Sequence, residues 1–334
     1  MRTLASIQRI TAIDPIEGAD AIEVASVLGW QVVTKKGEYQ VGDLAVYMEI
    51  DSVPPDEEQY RFLWKNTEFR PNNFRIKTIK LRGQISQGIL FPLGLFGDHG
   101  PWNFPTEGED VTDRIGVTKY EAPLPRGSAD VEGQFFDGVP KTDEERVQSS
   151  TGAKHLASLR GRPFYITEKL DGASMTVAMH EGVPKVASRN YRLADAPDSA
   201  YWNAARNEGI LRFINENPHL AIQGELIGPG IQGNKLGWKE HSCFVFNVYD
   251  RNTGRFWSMA EMVDVLGFEA IPMVPIVIVG HLFNYTQEQL LTLAEGKYAG
   301  TKNEREGIVI RSNDGLESVS FKCVSNRYLL RGGE

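Results

Sequence analysis

Short runs of β-branched and aromatic residues, each closed by turn chemistry, dominate the chain from Ser6 to Pro92 and limit what it can become. Residues 7–13, 22–27, 31–34, 44–50, 76–81 and 88–91 are such runs. Asp14-Pro15, Glu17-Gly18, Lys36-Gly37, Val41-Gly42-Asp43 and Arg82-Gly83 separate them. Runs this short, punctuated this often, read as strands, and their spacing predicts a small antiparallel barrel.

An oligonucleotide-binding (OB) barrel fits the size. Residues 73–82 alternate basic and apolar side chains, so one strand face would carry Arg75, Lys77 and a following basic residue. That face could track a phosphate backbone or simply be solvated. Residues 97–140 are rich in Gly, Pro and Asp and read as a connector, with 111–115 and 122–125 as extended pieces crossing between domains. The expected organisation is therefore 1–96 as an OB-like nucleic-acid-binding domain, 97–140 as connector, and 141–334 as a second domain. Thr142 or Asp143 ahead of Glu145 gives a helix-capping signal at its start.

In the second domain, 164–169, 175–180, 183–188, 221–226, 243–250, 307–311 and 319–323 read as strands, and 198–216, 259–266 and 287–294 as helices. The pattern is α+β and mostly antiparallel, not a doubly wound sheet. No GxGxxG or GxxxxGK[ST] pattern follows a strand, so the usual phosphate-cradling loops are absent from the sequence.

Composition excludes several classes. The 334 residues are 41% hydrophobic and 24% charged, as in a globular protein of two domains. No stretch approaches the roughly 18 apolar residues of a membrane span, and the N-terminus lacks a secretory signal, so a cytoplasmic protein is expected. Two cysteines, Cys243 and Cys323, rule out a disulfide framework, and the six histidines lack ligand spacing. A net charge of −8 argues against nonspecific coating of nucleic acid but leaves local basic patches possible.

Chemistry concentrates at Lys169-Leu170-Asp171-Gly172, where a lysine leaves an apolar, β-prone run and a carboxylate and glycine follow. Such a lysine can be a nucleophile held at a strand end, or a solvated lysine at a strand-to-turn junction. An amine attacks phosphorus only when unprotonated, and its reference pKa of about 10.4 makes that rare at neutral pH. An enzyme built on Lys169 would need cations for phosphates, acids for a metal or ribose, and an aromatic for a base. The downstream strand ends carry Arg189, Glu225, Phe244 and Phe246, Glu306 and Lys322.

At these positions the chain resembles the covalent nucleotidyltransferase superfamily of polynucleotide ligases and mRNA capping enzymes. Lys169-Leu170-Asp171-Gly172 matches its K-x-D-G nucleophile motif. Ser188-Arg189-Asn190, Gly224-Glu225, the 244–246 strand, Glu306-Gly307-Ile308-Val309 and Phe321-Lys322 follow in the superfamily's order. The barrel stands in front, and the chain ends at Glu334, leaving no room for one behind. With the 141–148 segment and Gly228-Pro229-Gly230-Ile231-Gln232-Gly233-Asn234, this order is similar to the Deinococcus-type RNA ligase family. The resemblance departs at the last motif, where K-x-K is common but Ser320 and Val324 flank Lys322.

The resemblance implies an ATP-grasp-like ligase domain that adenylylates Lys169 and uses Mg²⁺ or Mn²⁺. Its substrate would be a nicked duplex with an RNA 3′-hydroxyl end, sealed by a monomer. Asp171 and Glu306 would hold the metal, Glu225 the ribose hydroxyls, and Phe246 would stack the adenine. The backbone around Thr167 and Glu168 would read the adenine edge. Lys322 and Arg189 would serve the phosphate and ribose, and Arg146 the triphosphate or 5′-phosphate. Two alternatives stand beside it: a GTP-dependent capping-type guanylyltransferase, and an OB-type nucleic-acid-binding protein without catalysis.

Overall fold

The computed structural model describes residues 3–63, 74–96, 106–121, 130–316 and 318–331. Asn73, residues 97–101 and the expected extended piece at 122–125 lie outside the described residues. The chain forms two compact units, Met1–Ala122 with Gln148–Ser150, and Pro123–Val147 with Thr151–Glu334.

The first unit is built on the expected antiparallel strands. Trp30–Lys35, Ile22–Val27, Ala5–Pro15, Leu44–Met48 and Ile89–Pro92 lie in that order in one five-stranded sheet. A register shift between Ile10 and Ala12 bends the first strand, so its early residues pair with Leu44–Met48 and its late ones with Ile22–Val27. Residues 106–112, expected as connector, add to this unit: Ile7 N–H donates to Glu109 C=O and Val111 N–H to Ala5 C=O, and Val111 is buried.

The expected basic strand at 76–81 shortens to Ile79–Leu81. Its first residue is committed elsewhere, because Ile76 exchanges backbone hydrogen bonds with Asp51 and Ser52. Arg75 follows it inward, with Nη2 2.7 Å from Asp51 Oδ1 and its guanidinium 4.2 Å from the centre of the Tyr120 ring. Arg75 is thus a structural cation, not part of a phosphate-tracking face.

The second unit contains two sheets. One is seven-stranded and antiparallel, in the order Val131–Gln134, Tyr191–Leu193, Val183–Ala187, Ala173–His180, Leu220–Ile227, Ser242–Asp250 and Arg255–Phe256. The other runs Glu145–Arg146, Ser320–Val324, Gly307–Ser312, Phe164–Lys169 and Ile276–Gly280, with its first pair parallel. The helices Ala200–Asn207, Ile210–Glu216 and Met259–Phe268 (α1, α2 and α3) cover one face of the first sheet. Their core holds Met175, Val177, Ile222, Phe213 and Leu266. Behind the second sheet, Ile166, Ile308, Ile310 and Phe321 pack with Leu159 of the helix Ser150–Leu159 and Leu290 of Gln287–Ala294. On the seven-stranded sheet a smaller cluster joins Phe135, Phe136 and Val139 to Ala178, Ala187 and Ala221.

Two expected helical segments differ. The span 198–216 divides because Gly209 is left-handed, at φ 68°. The capping signal at 142–145 caps no helix; Glu145–Arg146 is a strand, and the helix starts at Ser150. Ile276–Gly280, with no counterpart in the sequence reading, extends the second sheet beside the nucleophile strand. Among the described residues no helix is long and apolar enough to cross a membrane.

Candidate active site

Lys169 ends the strand Phe164–Lys169, and Ala173 begins a strand of the other sheet. Leu170, Asp171 and Gly172 are therefore the turn that joins the two sheets. Gly172 has a steric reason to be glycine: a Cβ there would sit 2.3 Å from the Leu226 carbonyl oxygen and 2.8 Å from Glu225 Cγ. This close approach brings Glu225 to the turn, where it accepts from the Gly172 N–H. A segment from 271 to 276 ties the same region through backbone. Val245 N–H donates to Pro272 C=O and Glu168 N–H to Pro275 C=O.

Alternation places the site face. Phe164, Ile166, Ile308, Ile310, Phe321 and Cys323 fill the core, so Thr167, Lys169, Val309, Arg311, Ser320 and Lys322 share the opposite face. Register aligns Lys169 with Gly307, Thr167 with Val309, and Val309 with Lys322. Gly307, at φ 155°, allows the neighbouring strand to come close, since a Cβ would lie 2.1 Å from Cys323 O.

Three carboxylates gather around the lysine. Glu306 Oε1 is 2.6 Å from Lys169 Nζ, and Asp171 Oδ2 is 2.6 Å from Lys235 Nζ. Lys235 also lies 4.2 Å from the centre of the Tyr328 ring. Burial pushes the Glu225 carboxyl up to about 7, reinforced by the negative charges of Asp171 and Glu144 and opposed by Lys169. Burial also raises Glu168, with Arg305 opposing the shift. Tyr298 is buried, its hydroxyl donating to Lys169 C=O and accepting from Glu306 N–H, each at 3.0 Å.

The remaining expected residues fall around this centre in different states. Phe246 is the extra residue of a bulge, since Gln223 pairs with Asn247 but Gly224 with Val245. The bulge lets Val245 and Val248 enter the core while Phe244 and Phe246 both turn toward Leu170 and Tyr298. The Arg311 guanidinium lies 5.4 Å from the centre of the Phe246 ring. Thr167 is buried, with its hydroxyl accepting from Arg311, while the Glu168 N–H is committed to Pro275. Arg146 is 1% exposed and in register with Lys322. Arg189 is half exposed and ion-paired with Asp143.

Sequence reading passed over four side chains that the geometry brings in: Glu144, Lys235, Tyr298 and Arg311. Glu144 accepts from Arg311 at 2.8 Å and from the Ser320 hydroxyl at 3.4 Å. Alternation along 307–311 already put Arg311 on the face of Lys322, so that signal was available. Nothing comparable marked Tyr298, which sits in a loop.

Among the described residues no three His, Cys, Asp or Glu side chains cluster tightly enough to cage a metal ion. Asp171 and Glu306 are nevertheless oxygen donors flanking Lys169, and Asp171 Oδ2 is buried and not aligned for a hydrogen bond. That donor set fits Mg²⁺ or Mn²⁺ held by one or two carboxylates, waters and substrate phosphates. Such an ion would neutralise phosphate charge.

A lysine at the junction of two sheets, with acids, an aromatic and cations on the facing strands, makes a candidate nucleotidyltransferase-type ligase site in a chain that opens with an OB fold. Likeness to known proteins identifies the family. A family model described as RNA ligase matches residues 162–324, and one described as an OB-fold domain matches 4–93. The structure of Naegleria gruberi RNA ligase with PPi is 37% identical, at a TM-score of 0.87 over 98% of both chains. A lysine-to-methionine mutant of that ligase, with AMP and Mn, is 36% identical at 0.87, with 98% of both chains covered. A lysine-to-alanine mutant with ATP and Mn is 35% identical at 0.85, again over 98% of both. No curated protein matches the chain in sequence. The chain belongs to the RNA ligase family.

Proposed function

We propose that this chain is an ATP-dependent RNA ligase of the Deinococcus type, sealing nicks with a 3′-hydroxyl RNA end and a 5′-phosphate. The observation that carries the reading is Lys169 at the joint of the two sheets, 2.6 Å from Glu306 and electrostatically coupled to Glu225. The ATP, AMP, PPi and Mn named with the Naegleria structures support the same chemistry.

In the first step the Lys169 amine attacks the α-phosphorus of ATP. A nitrogen–phosphorus bond forms, the bond to the bridging oxygen breaks, and pyrophosphate leaves. Glu306 is in place to hold the amine's proton and orient it. The AMP then moves to a 5′-phosphate oxygen, freeing Lys169, and a 3′-hydroxyl attacks that activated phosphate and expels AMP. Glu225 would accept from the ribose hydroxyls and Phe246 would carry the adenine. Arg189, Arg146 and Lys322 would neutralise phosphate charge. The demand throughout is in-line geometry and charge neutralisation, which a preorganised site supplies. The first compact unit would bind the duplex, and the protein would act as a monomer in the cytoplasm.

Incubation with α-labelled ATP and a divalent cation, followed by a denaturing gel, tests this. Label from ATP is expected on the wild-type chain and absent from Lys169→Ala. Lys169→Ala should retain more sealing of pre-adenylylated nicks than of unmodified ones, because only the first step uses the amine as nucleophile. Label from GTP alone would point to a capping enzyme, and no label would sink both enzymatic readings.

A further inference from the structure

Residues 296–305 join the helix Gln287–Ala294 to the strand Gly307–Ser312 as a hairpin. Arg305 N–H donates to Gly296 C=O, Tyr298 N–H to Asn303 C=O, and Lys297 and Glu304 form an isolated bridge. The Tyr298 ring packs with Leu170, Ile227 and Val274, all buried, so its hydroxyl has little freedom. That hydroxyl is placed where a sheet ladder runs out. Lys169–Gly307 is the last pair between the two strands, and the Glu306 N–H lies one residue past it. Buried peptide groups past the end of a ladder need partners. One phenol serves two of them, donating to Lys169 C=O and accepting from Glu306 N–H. The nucleophile and its acid partner are thus joined through their main chains as well as through their side chains.

The same hairpin reaches the second acid. Asn303 Nδ2 donates to the Lys235 carbonyl at 2.6 Å, and Lys235 Nζ is the cation at Asp171. Lys235 follows the glycine-rich loop after Glu225, whose Ile231 is buried, and the Asn303 bond adds a tie from the hairpin to its backbone. Tyr298 and Asn303, five residues apart, therefore brace both acid–lysine pairs.

We propose that the 296–305 hairpin is a positioning element of the adenylylation site. In it the Tyr298 hydroxyl sets the Lys169–Glu306 geometry, and Asn303 sets Lys235 against Asp171. This rests on Lys169 being the adenylylated residue, and its failure is separable from a failure of that reading. Tyr298 touches no reacting atom; it acts through Lys169 and Glu306. Misplacement of reacting groups on the order of 1 Å costs on the order of 10²-fold in rate, whereas ground-state ATP binding does not depend on that alignment.

The experiment is single-turnover lysyl-AMP formation by the full chain at varied ATP, with thermal unfolding measured on the same samples. Tyr298→Phe keeps the ring and removes only the hydroxyl. The rate at saturating ATP is expected to fall on the order of 10- to 10²-fold, with half-saturating ATP changing by less than about twofold. Sealing of pre-adenylylated nicks should fall less. Asn303→Ala, at an exposed position, should lower the same rate severalfold without a change in Tm, and it serves if Tyr298→Phe does not fold. Wild-type rates in the folded variants would overturn the proposal, as would a loss confined to half-saturating ATP. Absence of label on the wild-type chain would instead count against Lys169 adenylylation itself.

Discussion

At the scale of single residues, two glycines explain why the motif has the form it does. Gly172 and Gly307 sit where a methyl would strike a carbonyl oxygen of the adjoining strand, at 2.3 and 2.1 Å. Their absence of side chain lets Lys169, Glu225 and Glu306 converge. Burial at this meeting point raises the Glu225 carboxyl from 4.5 to about 7, with Asp171 and Glu144 adding to the rise and Lys169 opposing it. In that window the folded state binds the proton and the unfolded state has lost it, so stability falls as pH rises from about 4.5 to about 7. Glu225→Gln removes the titration. Its Tm relative to wild type should therefore be more favourable at pH 8 than at pH 5, by on the order of 1–3 kcal/mol in stability; calorimetry at both pH values checks this, and an unchanged difference would contradict it. The sequence singled out Lys169, Asp171, Glu225 and Glu306 as an ordered series in or beside strands, and the fold brings these four proposed site residues together. The sequence did not reveal Tyr298, because a loop tyrosine has no periodicity and only tertiary packing makes it a partner of the distant Lys169 backbone as well as of nearby Glu306.

At the scale of elements, legibility followed how local the cause was. The strand Phe164–Lys169 and the helix Gln287–Ala294 have the bounds their patterning predicts. Both carry their own signals, an apolar run in one and a Thr286–Gln289 capping box in the other. Segment 141–148 misled because its polar residues resemble caps but are spent across the sheets. Lys141 bonds Asn190, Thr142 bonds Ser174, Asp143 pairs with Arg189, and Glu144 with Arg311. By contrast, α3 owes its start to a genuine box, Ser258 with Glu261. Ser258→Ala should cost about 1 kcal/mol, seen as a lower urea midpoint with unchanged m-value. The Arg255 hydrogen bond, with help from the Ser258 amide, holds Glu261 down at about 2. Its contribution is thus present above about pH 4.5 and is lost as pH falls toward 2. The penalty of Glu261→Gln should shrink over that range, as urea midpoints at pH 7 and pH 3 would show.

At the scale of the whole molecule, each unit has its own strands and its own core, and the proposed chemistry lies in the second. Removing residues 1–122 is expected to spare lysyl-AMP formation more than nick sealing, as measured by gel label and by ligation of a nicked duplex; equal loss would mean that the first unit serves ATP or folding. The joint at Lys169 has a mechanical consequence. Leu170, Asp171 and Gly172 alone separate a strand of one sheet from a strand of the other. With the 271–276 segment, whose backbone bonds a strand of each sheet, they work as the spine of a book works for its covers. If the sheets splay to admit a nucleotide, their far edges travel furthest and the spine travels least. A wide mouth and a steady nucleophile are then compatible in one domain, and an added residue in the spine would throw Lys169 and Glu225 out of step while leaving both covers intact.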